Sequence, residues 1–156
     1  MTLAERYKNI LNYFQQHVGK VDSELHYSNE FELLVAVMLS AQCTDKRVNM
    51  VTPSLFKRFP SSKELSEATE TEVFSYIKSI SYPNAKTTHL IAMAKLLEER
   101  FFGKVPQTME ELTSLPGVGR KTANLILGDI YGKPAVVADT HCIRISNLLG
   151  LCDSKD

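Results

Sequence analysis

With 156 residues, 44% of them hydrophobic and 23% charged, the chain is long enough to bury a core and too apolar to be disordered. Its formal net charge of zero excludes a uniformly basic nucleic-acid binder. The longest apolar run, residues 33–39, is too short for a membrane span, and the N-terminus has no signal-peptide core, so a cytoplasmic protein with no membrane partner is expected.

Charge is unevenly placed. Residues 45–63 carry five basic side chains (Lys46, Arg47, Lys57, Arg58, Lys63) against one acidic, whereas residues 1–32 carry three basic against five acidic. The basic stretch is either a localised binding face or a solvated helix surface. The three cysteines, Cys43, Cys142 and Cys152, contain no Cys-x-x-Cys pair. That supports neither a disulfide framework nor a four-thiolate metal site.

In chain order, Thr2 with Glu5 reads as a capping box. It precedes Leu3, Tyr7, Ile10, Leu11, Phe14 and Val18 at helical spacing, ended by Gly19. Asn29 with Glu32 repeats the capping pattern before residues 31–39, which are apolar on nearly every face and predict a central buried helix. Thr44 or Asp45 opens a helix with Val48, Val51 and Leu55 inward and a bend at Pro53. Ser61/Glu64 and Thr69/Glu72 start two short helices, the second carrying Val73, Ile77 and Ile80. Asn84 precedes a longer helix with Leu90, Ala94, Leu97 and Phe101 in one stripe, closed by Gly103. Thr108/Glu111 caps a short helix to Leu115, and residues 120–131 form a helix ended by Gly132. After an extended 134–137, Asp139 or Thr140 caps a last helix with Ile145, Leu148 and Leu149. No hairpin signal or period-two alternation occurs, so the class is all-α.

The densest chemistry lies in Leu115-Pro-Gly-Val-Gly-Arg-Lys-Thr-Ala-Asn-Leu-Ile-Leu127. Two helices joined by Gly-x-Gly expose backbone amides at the N-terminus of the second, where the dipole favours an anion such as a DNA phosphate. Gly-x-Gly by itself is equally an ordinary αα-corner. The fuller apolar-Pro-Gly-apolar-Gly pattern, with Ala123 permitting close helix approach, points to a phosphate-binding hairpin over about 108–131.

This stretch resembles the helix-hairpin-helix DNA glycosylases, most closely the endonuclease III family of glycosylases and abasic-site lyases for oxidised pyrimidines. So do Phe31-Glu-Leu-Leu-Val-Ala-Val-Met-Leu-Ser-Ala-Gln42 with Cys-Thr-Asp45, Ile77-Lys-Ser-Ile80 with Asn84-Ala-Lys86, Gly119-Arg-Lys-Thr-Ala-Asn124 and Val137-Ala-Asp-Thr-His141, in order and spacing across the whole chain. The resemblance implies a six-helix domain at 22–132 containing the hairpin, and a second helical domain made of 1–21 with 133–156, present only in part.

By the same resemblance, Lys121 falls at the nucleophile position, where an amine partly desolvated at a helix N-terminus would be neutral enough to attack. On its own it is a surface helix lysine. Asp139, 18 residues further on, matches the family's acid, which takes the lysine's proton or stabilises positive charge on the sugar, and it also suits an N-cap. Gln42 matches a residue that fills the gap left by an extruded base. Leu115, Gly117, Val118, Gly119, Arg120 and Thr122 are the DNA-binding candidates of the hairpin, and Asp45 is either a pocket residue or a helix cap.

The chain also departs from the family pattern. Ser81-Tyr82-Pro83 stands where Gly-Leu-Tyr is usual, making Tyr82 the second wedge candidate. The family continues with further helices and four cysteines that ligate a [4Fe-4S] cluster, and no such cysteines occur before Asp156. A shortened chain with no cofactor of its own is therefore expected. It would be monomeric unless its unsupported ends self-associate, would act on double-stranded DNA with a damaged base or abasic site, and would be nucleoid-associated. The competing readings are an adenine-mismatch glycosylase of the same fold, a group that typically lacks the lysine, and a non-catalytic DNA-binding module or inactive fragment. Such a module has no need of the Lys121/Asp139 pair.

Overall fold

The computed structural model describes residues 1–18, 24–132 and 140–153, and among them every regular element is a helix. These are α1 (Leu3–His17), α2 (Glu30–Ser40), α3 (Asp45–Arg58), α4 (Ser62–Ser66), α5 (Glu70–Ile77), α6 (Pro83–Phe101), α7 (Met109–Thr113), α8 (Arg120–Asp129) and α9 (Thr140–Leu148). The chain divides into two compact units, Glu24–Ala135 and Met1–Ser23 with Val136–Asp156. The extended segment expected at 134–137, and Asp139 as a cap, lie outside the described residues.

In the larger unit α2 is the axis of the core. Phe31 and every residue from 33 to 39 are buried, and α3, α6 and α8 pack around the helix. A helix apolar on all faces gains from burial on all faces, at roughly 1.5–3 kcal/mol for each large side chain removed from water. Around α2, the inward Val48, Val51 and Leu55 of α3, Leu90, Ala94 and Leu97 of α6, and Ala123, Ile126 and Leu127 of α8 complete one cluster.

Short polar signals set where the helices begin. Thr2 and Ser61 form the expected reciprocal capping boxes, and the hydroxyls of Thr69 and Thr108 each accept a backbone N–H three residues on. Asn29 caps α2 by accepting from the Glu32 amide at 2.9 Å. The return half of its expected box is displaced, because the Glu32 carboxylate accepts from the amide and hydroxyl of Ser28 at 2.7 and 2.6 Å. At α3 it is Thr44 that caps, accepting from the Arg47 amide at 3.3 Å, so Asp45 is the first helical residue. That helix continues through Pro53.

Four boundaries differ from expectation. Helix α5 ends at Ile77, and the buried Ile80 follows in a turn closed by its amide on the Ile77 carbonyl. Helix α6 begins at Pro83 with Tyr82 as its cap, placing Asn84 inside, since proline's fixed φ suits a first helical position. Helices α7 and α8 end at Thr113 and Asp129, each two residues early.

Between α7 and α8 the chain turns through Gly117, with φ +76°. A Cβ there would lie 2.8 Å from the His89 Cβ and 3.0 Å from the Met38 Cε, so this glycine is demanded both by backbone conformation and by contact with α6 and α2. Gly119 is different. Its φ is −95° and nothing stands within 4 Å of where its Cβ would be.

In the smaller unit α1 and α9 contain no buried residue. Leu3, Tyr7, Leu11 and Phe14 are exposed, as are Ile145, Leu148 and Leu149. Among the described residues of this unit, hydrogen bonds run from Arg6 Nη1 to the Gly150 carbonyl at 2.9 Å and from Tyr7 Oη to the Leu151 carbonyl at 3.3 Å.

Two outcomes follow from these burial patterns. Hydrogen exchange should run much faster at the amides of residues 6–14 and 144–149 than at 33–39, and equal protection in all three would contradict this account. In urea unfolding, Gly117→Ala should lose about 1–3 kcal/mol while Gly119→Ala stays within about 0.5 kcal/mol of the parent. Equal losses would mean that both glycines serve the turn alone.

Candidate active site

Helix α8 starts without the device used by its neighbours. Its N-cap is Gly119, which has no side chain to accept an amide, and its first turn contains no acidic residue. That turn holds instead Arg120 and Lys121, both exposed. Cations at the positive end of a helix dipole stand against its field by roughly 0.3–1 kcal/mol each. Open amides and two cations together form a place where an incoming anion is favoured.

Lys121 does not stand alone. With Thr122 and Leu125 of α8 it lines a cavity of about 320 Å³ whose other wall is Val37 and Ser40 of α2, followed by Ala41 and Gln42. Two candidates 79 positions apart in the sequence (121 − 42) thus share one space. A larger cleft of about 460 Å³, at the opposite end of α2 around Phe31, Gly103 and Tyr131, contains none of the candidate residues. The expected desolvation of the Lys121 amine is not supplied by the chain, since the side chain is exposed.

Gln42 follows α2 with φ +52°, a left-handed conformation uncommon for a residue with a side chain. Tyr82 does the same with φ +53°, and it is 65% exposed. Being followed by Pro83 disfavours Tyr82 further, because proline pushes its predecessor towards extended backbone. Left-handed non-glycine residues cost on the order of 1–3 kcal/mol each and persist where their surroundings over-determine them.

The surroundings here are specific. The Ser81 hydroxyl donates to the Gln42 carbonyl at 2.8 Å, joining the two turns directly. Beneath them lies Lys86, buried, with its ammonium donating to the carbonyls of Leu39 at 2.8 Å and Ala41 at 2.7 Å and to the Ser81 hydroxyl at 3.4 Å. Burial pushes this ammonium below the ordinary lysine value, partly offset by the neighbouring Cys43 thiol. In the sequence Lys86 closes the Asn84-Ala-Lys86 motif, and the pattern there assigns it no role. Its signal was its position four residues before Leu90, in line with the buried stripe Leu90, Ala94, Leu97.

Of the other candidates among the described residues, Thr122 lines this cavity, whereas Tyr82, Leu115, Gly117, Val118 and Arg120 do not. Leu115 and Val118 are buried, while Gly117 and Arg120 are exposed. Asp45, half-buried at the start of α3, is not part of the cavity lining. Of the five basic residues in 45–63, Arg58 is engaged with Glu72 at 2.7 Å and lies over the Phe59 ring. Lys46 and Arg47, just after the Gln42 turn, are exposed. Asp139 lies outside the described residues.

The residues present do not fit a four-thiolate cluster. The chain has three cysteines, and among the described residues no group of three or more His, Cys, Asp or Glu is arranged to hold a metal ion. Nor is any helix among them long and apolar enough to cross a membrane.

Residues 35–156 match the HhH-GPD superfamily base excision DNA repair proteins. The endonuclease III of Rickettsia felis is 42% identical over 148 residues, covering 95% of this chain and 70% of that protein. A solved non-covalent endonuclease III–DNA complex superposes with a TM-score of 0.93 at 36% identity, covering all of this chain and 72% of the other. A trapped endonuclease III–DNA covalent intermediate, an estranged-adenine complex, does so with the same TM-score and identity over 73% of its chain. With its hairpin, its cavity and these likenesses taken together, the chain belongs to the HhH-GPD superfamily of base excision DNA repair proteins and, within it, to the endonuclease III family.

Proposed function

We propose that this chain excises a damaged base, an oxidised pyrimidine, from double-stranded DNA and then cleaves the strand at the resulting abasic site. The observation that carries this reading is the shared cavity of Gln42 and Lys121. One places an amine where an extruded nucleotide fits, and the other a hydrogen-bonding side chain beside it, at the gap that extrusion leaves. A trapped covalent complex of a relative with DNA supports a nucleophilic route.

The hairpin supplies orientation. Open amides at the start of α8, with Arg120 beside them, suit a backbone phosphate, and the empty space over Gly119 lets that phosphate approach the chain closely. Phosphate contacts position the duplex, and the wedge residues Gln42 and Tyr82 act on the bases.

In the chemical step the Lys121 Nζ lone pair forms a bond to C1′ of the extruded nucleotide as the C1′–base bond breaks, and the base leaves with its electron pair and takes up a proton. Covering of the cavity by the nucleotide displaces water from around the amine. The sugar ring opens, with the C1′–O4′ bond broken and O4′ protonated, leaving a C1′=Nζ Schiff base. Loss of a C2′ proton then drives β-elimination, in which the C3′–O bond breaks and the phosphate on the 3′ side leaves. Asp139 is assigned the task of accepting the lysine's proton and of stabilising positive charge that grows on the sugar.

Borohydride added with an abasic-site duplex should trap a covalent adduct that Lys121→Gln abolishes, and undiminished trapping by that variant would sink the assignment. Asp139→Asn should slow base release about 10²–10⁴-fold with duplex affinity unchanged, and parallel loss of both would indicate a folding role. Binding should weaken steeply as salt rises, because phosphate contacts release counterions. Against that background Gly119→Ala should weaken duplex binding about tenfold, the worth of one or two charge-assisted hydrogen bonds. An unchanged dissociation constant in an anisotropy titration would remove the hairpin from the interface.

A further inference from the structure

We propose that Lys86 is the positioning residue of the DNA-opening wedge, and that through its hydrogen bonds to the Leu39 and Ala41 carbonyls and the Ser81 hydroxyl it holds the left-handed turns of Gln42 and Tyr82 as one rigid unit. This rests on the base-excision reading above and names a residue to which that reading gives no task.

Lys86 is not placed to meet a ligand. It is buried among apolar side chains on the inner face of α6, so it offers no charge to a ligand, and it is not part of the lining of the cavity that contains Lys121. A buried ammonium is costly unless its donors are used. This one meets three oxygens, and all three belong to the two turns that carry the wedge. The Leu39 and Ala41 carbonyls end α2 immediately before Gln42. The Ser81 hydroxyl precedes Tyr82 and donates onward to the Gln42 carbonyl at 2.8 Å. The hydrogen bonds therefore run from Lys86 to Ser81 to Gln42 and also from Lys86 to the end of α2, a closed link between segments about 40 residues apart.

Rigidity matters at this point because the turns are left-handed and carry side chains. Freed of their anchors, Gln42 and Tyr82 relax towards ordinary backbone regions. Each side chain then has to be reordered when it enters the gap left by an extruded base. An anchored wedge meets that ordering cost in folding rather than in binding. Loss of Lys86 thus acts on recognition of the opened site and leaves the phosphate contacts of the hairpin untouched.

The test compares equilibrium binding of the full chain to two duplexes, one intact and one containing a tetrahydrofuran abasic analogue, which cannot form a Schiff base. The preference for the analogue should fall about tenfold in Lys86→Met and less in Ser81→Ala. The double variant should match Lys86→Met alone, since both act through one network. Affinity for intact duplex should stay within about twofold, and 2-aminopurine opposite the analogue should lose its fluorescence increase on binding. A Lys86→Met chain that keeps the parent's preference overturns the proposal. If that variant fails to fold by circular dichroism, Ser81→Ala decides, and an unchanged preference there overturns it equally. A parent chain with no preference for the analogue overturns the base-excision reading as well, which separates the two failures.

Discussion

A helix that ends inside a core leaves carbonyls without intrahelical partners, and each one left unsatisfied in a buried place costs about 1–3 kcal/mol. The central helix α2 faces this constraint because its burial continues to Leu39. The Ser40 hydroxyl donates back to the Val37 carbonyl. From α6, Lys86 donates to the Leu39 and Ala41 carbonyls. Since Gln42 lies three residues beyond Leu39, the same ammonium that settles a folding problem also helps to set where the candidate wedge stands.

Helix α8 presents the opposite condition at the opposite wall of the cavity. Its N-cap offers no side chain to its donors, and two cations stand where α1, α2, α3, α5 and α7 have a capping side chain and an acidic first turn. The cavity is therefore bordered by one helix end already saturated from within and another awaiting a partner. An unsatisfied donor end with exposed Arg120 and Lys121 is stable because it faces solvent. Its demand for an anion is what makes it useful to a nucleic-acid protein. The contrast between Gly117 and Gly119 expresses the same division, one glycine serving contacts within the chain and the other keeping space outside it.

Local signals were legible in the sequence wherever four consecutive residues decide the outcome. The Thr2/Glu5 and Ser61/Glu64 boxes are of this kind, as is the all-round apolar pattern of α2. Where two partners compete, legibility fails. Glu32 turned to Ser28, which offers both an amide and a hydroxyl, and no pattern rule weighs those against the Asn29 amide. The start of α6 differs because Asn84 is a good cap by composition, whereas Tyr82 acts as one through a left-handed turn whose neighbour Ser81 is held by Lys86 of α6 itself and by the Gln42 carbonyl. The cavity joins residues 42 and 121 and has no local signature. Lys121 and Gln42 were reached through resemblance, and Lys86 was missed because a lysine is ordinarily read as surface.

The departure at Ser81-Tyr82-Pro83 is informative in these physical terms. A glycine in the family pattern suggests a backbone need for positive φ, yet Ser81 is not among the residues with positive φ, and the left-handed conformation falls on Tyr82 instead. Replacing glycine by serine at this position therefore brings no backbone penalty of that kind and adds a hydroxyl that both accepts from Lys86 and donates to Gln42. Pro83 in turn sacrifices no helical hydrogen bond, because a first-turn N–H has no intrahelical acceptor, and its fixed φ shortens the list of conformations open to the turn. Ser81 and Pro83 thus act in one direction. They hold the segment around the exposed Tyr82 by proline on one side and by the lysine network on the other.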